Sequence, residues 1–490
     1  MLKNVKKTVS HSAIYGLGNL TTKLIGIVLL PLYTKHISVA EYGVLGILEA
    51  TIMIMVQVMV LGQAQTFLRF HELDDYAQKQ KSLLFTLFVF LSAVTIIFGL
   101  VGAGLSNYIG SFFAQPELFA LYFRLSFLIV GLRIIGRLLL STLRIKERPV
   151  FFATVNFIKL TVSLVLNIYF IAYLHLGILG ILYAYVAGDA LLLVMILPIN
   201  ITYMKPHFES KIVKAALVFG LPLILSGLAT MLLNTGNRYI LKLLSNYQQV
   251  GLYNLGYKIA GFINVFLIQS FNMGFLPLAY KMYGNKGDKR YFIKMLTYFT
   301  FALCWTGLAL SMYSEELVKV LGKNSDYWPA WTIVPILTLA FVFEGGKTVT
   351  SLGSFLMKKT AWVSYTTLIA LAVSIALNFL LIPSFGIIGA SLATLIASII
   401  LYILSQWAAN KFFPVRYENL KIVKMIAISI GLFLIPLLFP DLNFGIKVVL
   451  KLLLIMAFPF ILLPLGFYEP VEIEKIKLAF IKILKFGKKS

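Results

Sequence analysis

Apolar stretches of 20 or more residues recur along the whole chain, and short polar segments separate them. Each stretch is long enough to cross a hydrocarbon core of about 30 Å as an α-helix. The pattern predicts an all-α polytopic membrane protein with about 14 transmembrane helices. The predicted spans are 11–34, 43–68, 82–105, 118–142, 150–174, 177–200, 212–236, 249–276, 292–312, 329–352, 361–382, 387–409, 422–439 and 446–467.

The pattern also repeats within the chain. "ISVAEYGVLGI" follows the first span and "LSNYQQVGLYNL" follows the seventh, which aligns Gly43 with Gly251 at an offset of 208 residues. "VSLVLNIYFIAYLHLGILG" later matches "VSIALNFLLIPSFGIIG", which aligns Asn167 with Asn378 at an offset of 211. Six helices separate the copies, and an even number preserves their orientation in the membrane. The sequence therefore predicts two parallel six-helix repeats, forming two lobes, and two extra C-terminal helices. The second match also aligns Gly177 with Gly386 and Gly180 with Gly389.

The repeats set the predicted domain boundaries. The N-lobe is expected over 1–205, the C-lobe over 206–412, helices 13 and 14 within 413–468, and a cytoplasmic tail over 469–490. In the tail, apolar residues fall at helical spacing with lysines largely opposite, which is typical of a basic amphipathic helix lying on a membrane surface. A solvated, frayed tail is the alternative. The apolar positions are Ile473, Ile476, Phe480, Ile483 and Leu484.

Composition and charge support the membrane assignment and give it a direction. The chain is 60% hydrophobic and 13% charged, whereas soluble domains are about 25% charged. A net charge of +24 would suit a nucleic-acid-binding protein, but its distribution argues against that class. One set of alternate loops, together with both termini, holds 29 Lys and Arg, and the other set holds 6. The positive-inside rule then places both termini in the cytoplasm, and we expect membrane lipids rather than nucleic acid as partners.

Few residues suggest catalytic or cofactor chemistry. The single cysteine, Cys304, lies in an apolar span and is expected to be a small core residue. The five histidines are scattered, without the spacing of metal ligands. "EGGKT" at 344–348 lies within a span and has Phe341 where a P-loop needs its first glycine. We therefore expect a protein that is not an enzyme, with no cofactor and no metal site.

Charged residues inside the spans carry the functional signal. A cation at the centre of a membrane helix costs about 2.5–3.5 kcal/mol on insertion scales. At about 100° per helical residue, Arg137 lies about 40° from Arg133 and Arg144 about 20° from it, so the three form one stripe toward the cytoplasmic end. Arg124 and Lys451 lie near span ends, where snorkelling to the interface suffices. The deeper cations are Lys23, Arg133, Arg137, Lys159, Lys258 and Lys347, and the deep acidic residues are Glu49, Asp189 and Glu344.

Internal pairing accounts for only part of this set, because six deep cations face three carboxylates. Unpaired cations persist in a membrane around water or around an anion. The charge pattern thus predicts a cationic cavity between the two lobes, whose ligand carries several negative charges across the membrane core.

Three segments resemble a known family: "NLTTKLIGIVLLPLYTKHISVAEYGVLGI", "FGLPLILSGLATMLLNTGNRYILKLLSNYQQVGLYNLGYKIA" and "LNFLLIPSFGIIGASLAT". The chain resembles, over essentially its whole length, the Wzx-type polysaccharide flippases of the multidrug/oligosaccharidyl-lipid/polysaccharide (MOP) exporter superfamily. The resemblance implies a two-lobed transporter that moves an undecaprenyl-diphosphate-linked oligosaccharide across the bacterial cytoplasmic membrane. It also implies that the two extra helices handle the lipid tail, and it makes polysaccharide polymerase and chain-length proteins candidate partners.

The resemblance adds Arg238 to the candidate cavity residues. Many relatives have an acidic residue just before that arginine, whereas this chain has Asn237. Three other functions stay open at this stage. A lipid II flippase has the same architecture. A cation-coupled drug antiporter usually needs deep acidic residues in a 12-span body. A membrane polysaccharide polymerase needs a longer outer loop than the 17 or so residues found here.

Overall fold

A computed structural model describes residues 26, 28–71, 78–113, 115–285, 287–470 and 474. The elements in this part of the chain are all helical, with turns between them. The helices are α1 Leu30–His36, α2 Val39–Met59, α3 Gln63–His71, α4 Gln80–Gly110, α5 Pro116–Ile145, α6 Pro149–Ile168, α7 Gly177–Ile201, α8 Ser210–Thr235, α9 Asn237–Leu244, α10 Tyr247–Ala260, α11 Gln269–Met282, α12 Asp288–Met312, α13 Ser314–Leu321, α14 Val334–Thr350, α15 Leu352–Leu356, α16 Thr360–Phe412, α17 Asn419–Leu434 and α18 Phe444–Ile461. Short π-helical turns follow α6 at Tyr169–Tyr173 and precede α11 at Asn264–Ile268, and 3₁₀ turns precede α14 at Ser325–Ile333 and follow α17 at Ile435–Leu438.

The helices agree with the predicted membrane spans. Eleven helices in the described part of the chain are long and apolar enough to cross a membrane. One of them, α16, has 53 residues and turns at Gly386, so it contains two of the predicted spans. The 26-residue helix α8 coincides with the predicted span 212–236. Most of the first predicted span lies outside the described residues, so the count of 14 stays a prediction.

Local sequence signals explain where several helices begin. The Ser38 side chain accepts a hydrogen bond from the Glu41 backbone N–H, and the Glu41 carboxylate accepts one from the Ser38 backbone N–H, so a capping box starts α2. The Asn246 side chain caps α10 in the same way, through the Gln249 backbone N–H. Prolines occupy the first turn of both α5 and α6, where a missing N–H costs no helical hydrogen bond.

The two sequence repeats make matching contacts. In the first repeat, Tyr33 Oη donates to Asn167 Oδ1 at 2.9 Å. In the second, Asn378 Nδ2 donates to Asn237 Oδ1 at 2.9 Å. The aligned asparagines thus lie in the fifth predicted span of each repeat. Each contacts a residue at the end of the first span of that repeat or directly after it. The aligned glycines Gly177 and Gly386 both have positive φ, +55° and +52°, a conformation that favours glycine at the turn into the sixth helix.

The two halves meet at the end that the charge pattern predicts to be outer. There, Tyr327 Oη donates to the carbonyl oxygens of Ile37 and Ser38 at 2.9 and 3.0 Å. Thr34 Oγ1 donates to the Leu321 carbonyl oxygen at 2.6 Å. We call these contacts of Thr34, Ile37, Ser38, Leu321 and Tyr327 the outer seal.

The last two helices dock on the second half along α12. Trp305 Nε1 donates to the Ile455 carbonyl oxygen at 2.9 Å, and Tyr313 Oη to that of Val448 at 3.2 Å. The prediction that Lys451 snorkels to the interface is wrong, because its residue is only 4% exposed and its ammonium pairs with Glu316. The position of Lys451 in the sequence does not show that α13 places the Glu316 carboxylate beside it.

The prediction for Cys304 is confirmed, and two other predictions concern residues that the structure does not describe. Cys304 is buried in α12, as expected of a small core residue. Lys23 and the predicted amphipathic part of the tail lie outside the described residues.

Candidate functional site

A cavity of about 590 Å³ lies between the two halves of the protein. Both repeats contribute to its wall, which contains four of the predicted cations and all three predicted carboxylates. The charged residues of the wall are Glu49, Arg133, Lys159, Asp189, Arg238, Lys258 and Glu344. The sequence-predicted charges therefore converge from helices that are far apart along the chain. We call this space the central cavity.

Asp189 organises the cations of the first half. Its side chain is 1% exposed and holds Arg133 Nε at 2.7 Å from Oδ2, while Lys159 Nζ pairs with Oδ1. Gly188 packs closely against α6, since a Cβ there would overlap with Ser163 Oγ. One buried carboxylate between two cations leaves one positive charge facing the cavity.

Glu49 and Lys258 form an ion pair between the two halves. Lys258 Nζ on α10 lies 3.0 Å from Glu49 Oε2 on α2, and each side chain is about one-fifth exposed. Tyr185 Oη donates to Glu49 Oε1 at 2.9 Å. The Tyr185 ring also lies under the Arg133 guanidinium, 5.3 Å from its centre. A continuous set of contacts therefore runs from Lys258 to Arg133 along the cavity wall.

Arg238 is held by neutral and aromatic groups. Its Nε donates to Asn254 Oδ1 at 3.3 Å, and its guanidinium lies 5.1 Å from the centre of the Tyr257 ring. The described part of the chain gives Arg238 no ion pair, although its residue is only 7% exposed. Asn237 points elsewhere and donates to Thr394 Oγ1 at 2.6 Å. Asn237 therefore does not neutralise the positive charge of Arg238.

A second cavity, of about 480 Å³, continues from the first toward the predicted cytoplasmic end. Arg133, Arg137 and Arg144 all line it, so the three arginines share one face of α5. Arg137 is exposed to this space, and its Nη1 lies 3.4 Å from Gln57 Oε1. Across the described ranges, Arg137 has no ion pair within 4 Å, so it does not serve to neutralise Asp189 or Glu344. We call this space the arginine cavity.

Lys347 takes a different position from the other predicted cations. It lines a small adjoining cavity of about 40 Å³ in the second half, together with Glu344, and not the wall of the central cavity. The two spaces share Asn234, Tyr257, Phe341 and Glu344. Within the described ranges, His, Cys, Asp and Glu side chains do not gather in groups of three or more that would hold a metal ion.

The sequence analysis missed the uncharged polar part of the wall. Tyr185 lies one helical turn before Asp189, a spacing that places both on one face of α7. The spacing of Tyr185 and Asp189 is thus a signal that points to Tyr185. Gln57, which contacts Arg137, is not among the wall residues of the central cavity and lies about 80° from Glu49 around α2. Asn264, which begins a π-helical turn, and Gln269, which follows it, gave no comparable signal, because five residues of a straight α-helix would separate them by about 140°.

Comparison with known proteins places these features in a family. A family model described as "Polysaccharide biosynthesis protein" matches residues 34–328, more than half of the chain. An uncharacterized membrane protein of Methanocaldococcus jannaschii is 24% identical over 233 residues, which is 46% of this chain and 45% of that protein. The chain thus aligns with less than half the length of this curated relative.

Solved structures show the same fold. The lipid II flippase MurJ, in an inward closed conformation, has a TM-score of 0.75 and 14% identity, covering 92% of this chain and 98% of MurJ. A MATE transporter of Vibrio cholerae has a TM-score of 0.61 and 16% identity, covering 83% and 96%. An inward-facing multidrug resistance MATE family transporter of the MOP superfamily has a TM-score of 0.62 and 14% identity, covering 84% and 95%.

Proposed function

The chain belongs to the polysaccharide biosynthesis protein family, and on that premise we propose that it is a flippase for an undecaprenyl-diphosphate-linked oligosaccharide. It moves this substrate from the inner to the outer leaflet of the bacterial cytoplasmic membrane during surface polysaccharide synthesis. Both termini face the cytoplasm. Polysaccharide polymerase and chain-length proteins are its candidate partners, as the resemblance to Wzx-type flippases implies.

The charge of the two connected cavities is the observation that supports this proposal most strongly. Six cations, Arg133, Arg137, Arg144, Lys159, Arg238 and Lys258, face three carboxylates there. The surplus of three positive charges is enough to balance a diphosphate, which lipid tails cannot solvate. Arginine suits this ligand because its planar fork donates two parallel hydrogen bonds to phosphate oxygens. The arginine cavity leads from the predicted cytoplasmic end to the central cavity, so Arg144 and Arg137 are the first cations on the route.

The domain boundaries follow from this mechanism as a further part of the proposal. The N-lobe, 1–205, and the C-lobe, 206–412, rock about the central cavity and expose it to one side at a time. The last two predicted spans, helices 13 and 14 within 413–468, correspond to α17 and α18, and they guide the lipid tail. An apolar groove of about 650 Å³ between α16 and α17 supports that assignment. Its apolar lining includes Phe343, Ile403, Trp407, Ile422 and Ile426.

Replacing arginines of the stripe tests the proposed function. A charge-assisted hydrogen bond contributes about 1.5–3 kcal/mol, so Arg137→Ala is expected to weaken binding roughly ten- to a hundredfold. Surface polysaccharide should fall strongly while the protein remains in the membrane. Arg137→Lys should retain part of the activity, since the charge remains and the fork is lost.

Arg124→Ala is the matched control. Arg124 lies on the same helix, α5, but hydrogen bonds Ser106 and Asn107 and lines neither cavity. Export should therefore persist in this variant. Normal export by the double variant Arg133→Ala/Arg137→Ala, at the parent protein level, would remove the stripe from the mechanism.

A lipid II flippase is the second candidate, favoured by the likeness of the fold to MurJ. Complementation separates the two. The proposed function requires that the chain restore surface polysaccharide to cells lacking their own polysaccharide flippase. Rescue of cells depleted of their lipid II flippase, without rescue of polysaccharide, would assign lipid II as the substrate instead. A cation-coupled drug antiporter would raise drug resistance in cells that export polysaccharide normally.

A further inference from the structure

The ion pair between Glu49 and Lys258 has a particular place in the molecule. It lies in the wall of the central cavity and joins α2 to α10, which pack against each other across the two halves, and α2 begins directly after Ser38 of the outer seal. Separation of the halves at the outer end therefore has to pull Lys258 away from Glu49. Both residues of this pair face the central cavity, the space that the proposed function assigns to the substrate.

We propose that Glu49 is a latch that the substrate displaces. In the empty protein its carboxylate occupies the anion position at Lys258 and holds the halves together. When a diphosphate takes that position, the ion pair between the halves is replaced by one between Lys258 and the substrate, and the outer end opens. This inference rests on the proposed function and adds regulation of the same site.

Charge favours the exchange only when substrate is present. Both side chains are mostly buried, so parting them in an empty cavity leaves two opposite charges unpaired in a medium of low dielectric. A diphosphate carries more negative charge and more acceptor oxygens than a carboxylate, so it can bind Lys258 and Arg133 together. The Tyr185 contact, which lies between those two cations, fits one ligand reaching both.

The displaced carboxylate keeps a partner after the exchange. Tyr185 is on α7, in the same half as Glu49, and its hydroxyl already donates to Glu49 Oε1. That hydrogen bond moves with the first half when the halves part. Glu49 therefore returns to the same position when the substrate leaves, and the latch resets. An empty transporter stays sealed at the outer end, whereas a loaded one opens.

A cysteine in the central cavity reports on outer opening. Met53 lines this cavity, and Met53→Cys in a Cys304→Ser background can be labelled with an impermeant thiol reagent added to intact cells. Cells that lack the first sugar-phosphate transferase of the pathway contain no lipid-linked substrate. In those cells, labelling should be low with Glu49 and several-fold higher with Glu49→Gln. With Glu49 present, labelling should rise in cells that make the substrate.

Two further variants separate the ion pair from simple damage. The reversed pair Glu49→Lys/Lys258→Glu restores the attraction and should return substrate-free labelling to the low level. In the described part of the chain, the Glu41 carboxylate on the same helix hydrogen bonds Ser38 alone; Glu41→Gln removes the charge, keeps an acceptor oxygen for Ser38 and should leave labelling low.

Two results would overturn the latch. One is equal labelling of Glu49 and Glu49→Gln proteins in substrate-free cells, and the other is no rise with substrate in the Glu49 protein. A separate result tests the proposed function itself. Normal surface polysaccharide from the double variant Arg133→Ala/Arg137→Ala would contradict that function, whatever the labelling shows.

Discussion

Gly43 and Gly251, which are aligned in the two repeats, lie at one crossing between α2 and α10. A Cβ on Gly43 would overlap with the carbonyl oxygen of Tyr247, and a Cβ on Gly251 would overlap with that of Val39. Each glycine therefore allows the backbone of the other repeat to approach, and the contact is the same in both directions. The repeat that is visible in the sequence thus has a physical role, because it brings the halves together at the predicted outer end.

Alanine at this crossing should destabilise the sealed protein. Gly43→Ala and Gly251→Ala each force two backbones apart, and overpacking of this kind typically costs about 1–3 kcal/mol. We expect a lower unfolding temperature in detergent and less surface polysaccharide for each variant. The double variant should cost less than the sum of the two, because one Cβ already separates the helices.

A glycine with no close neighbour supplies the control. A Cβ at Gly99 on α4 would meet nothing within 4 Å. Alanine is the better helix former, so Gly99→Ala should leave the unfolding temperature unchanged or raise it. Equal losses for Gly43→Ala and Gly99→Ala would show that the crossing has no special dependence on glycine.

The orientation of the chain in the membrane is also open to a direct measurement. The split of 29 against 6 basic residues predicts that Ser325 faces outward and Asn285 inward. Both positions are exposed, so single cysteines are readily accessible there. In a Cys304→Ser background, Ser325→Cys should react with an impermeant thiol reagent in intact cells, whereas Asn285→Cys should react only after the cells are opened. The reverse result would invert the direction of transport.

An ion pair at the predicted cytoplasmic end should make stability depend on pH. Lys79 Nζ lies 2.7 Å from Glu209 Oε2, and this hydrogen bond holds the pKa of Glu209 below its ordinary value of 4.5. A carboxylate with a lowered pKa stabilises the fold above the unfolded-state pKa, and this contribution is lost as the pH falls through the folded-state value.

Glu209→Gln tests that dependence. We expect a small loss of unfolding temperature at pH 6, because the Lys79 side chain is 52% exposed and such pairs contribute little. The difference between the two proteins should shrink as the pH falls below about 4.5. Lys79→Gln should reproduce the effect, while a difference that stays constant from pH 6 to pH 3.5 would exclude the carboxylate as its source.

The sequence predicted the fold better than it predicted the site. Span positions follow from hydropathy, and the repeat follows from matched residues such as Gly177 and Gly386, which share one backbone conformation. The charges of the site were found because charge is costly in a membrane wherever it lies. Glu49, Asp189 and Glu344 were predicted as the charge partners, but which cation each one pairs with was not, because Asp189 reaches Arg133 and Lys159 only when α5, α6 and α7 pack together. Sequence spacing shows which residues share one face of a helix, but it does not show which other helix packs against that face.

Lys451 shows how such a partner changes the expected effect of a mutation. The ammonium is buried and pairs with Glu316, and it lies 5.5 Å from the centre of the Tyr313 ring. Removing one member of a buried pair costs about 3–5 kcal/mol, and the partial exposure of Glu316 reduces that figure here. Lys451→Ala should therefore lower the unfolding temperature in detergent clearly. Lys451→Met/Glu316→Gln should recover most of the loss, because neither side chain is then charged and unpaired. If Lys451 only snorkelled to the interface, the single variant would be nearly neutral and the double variant would bring no recovery.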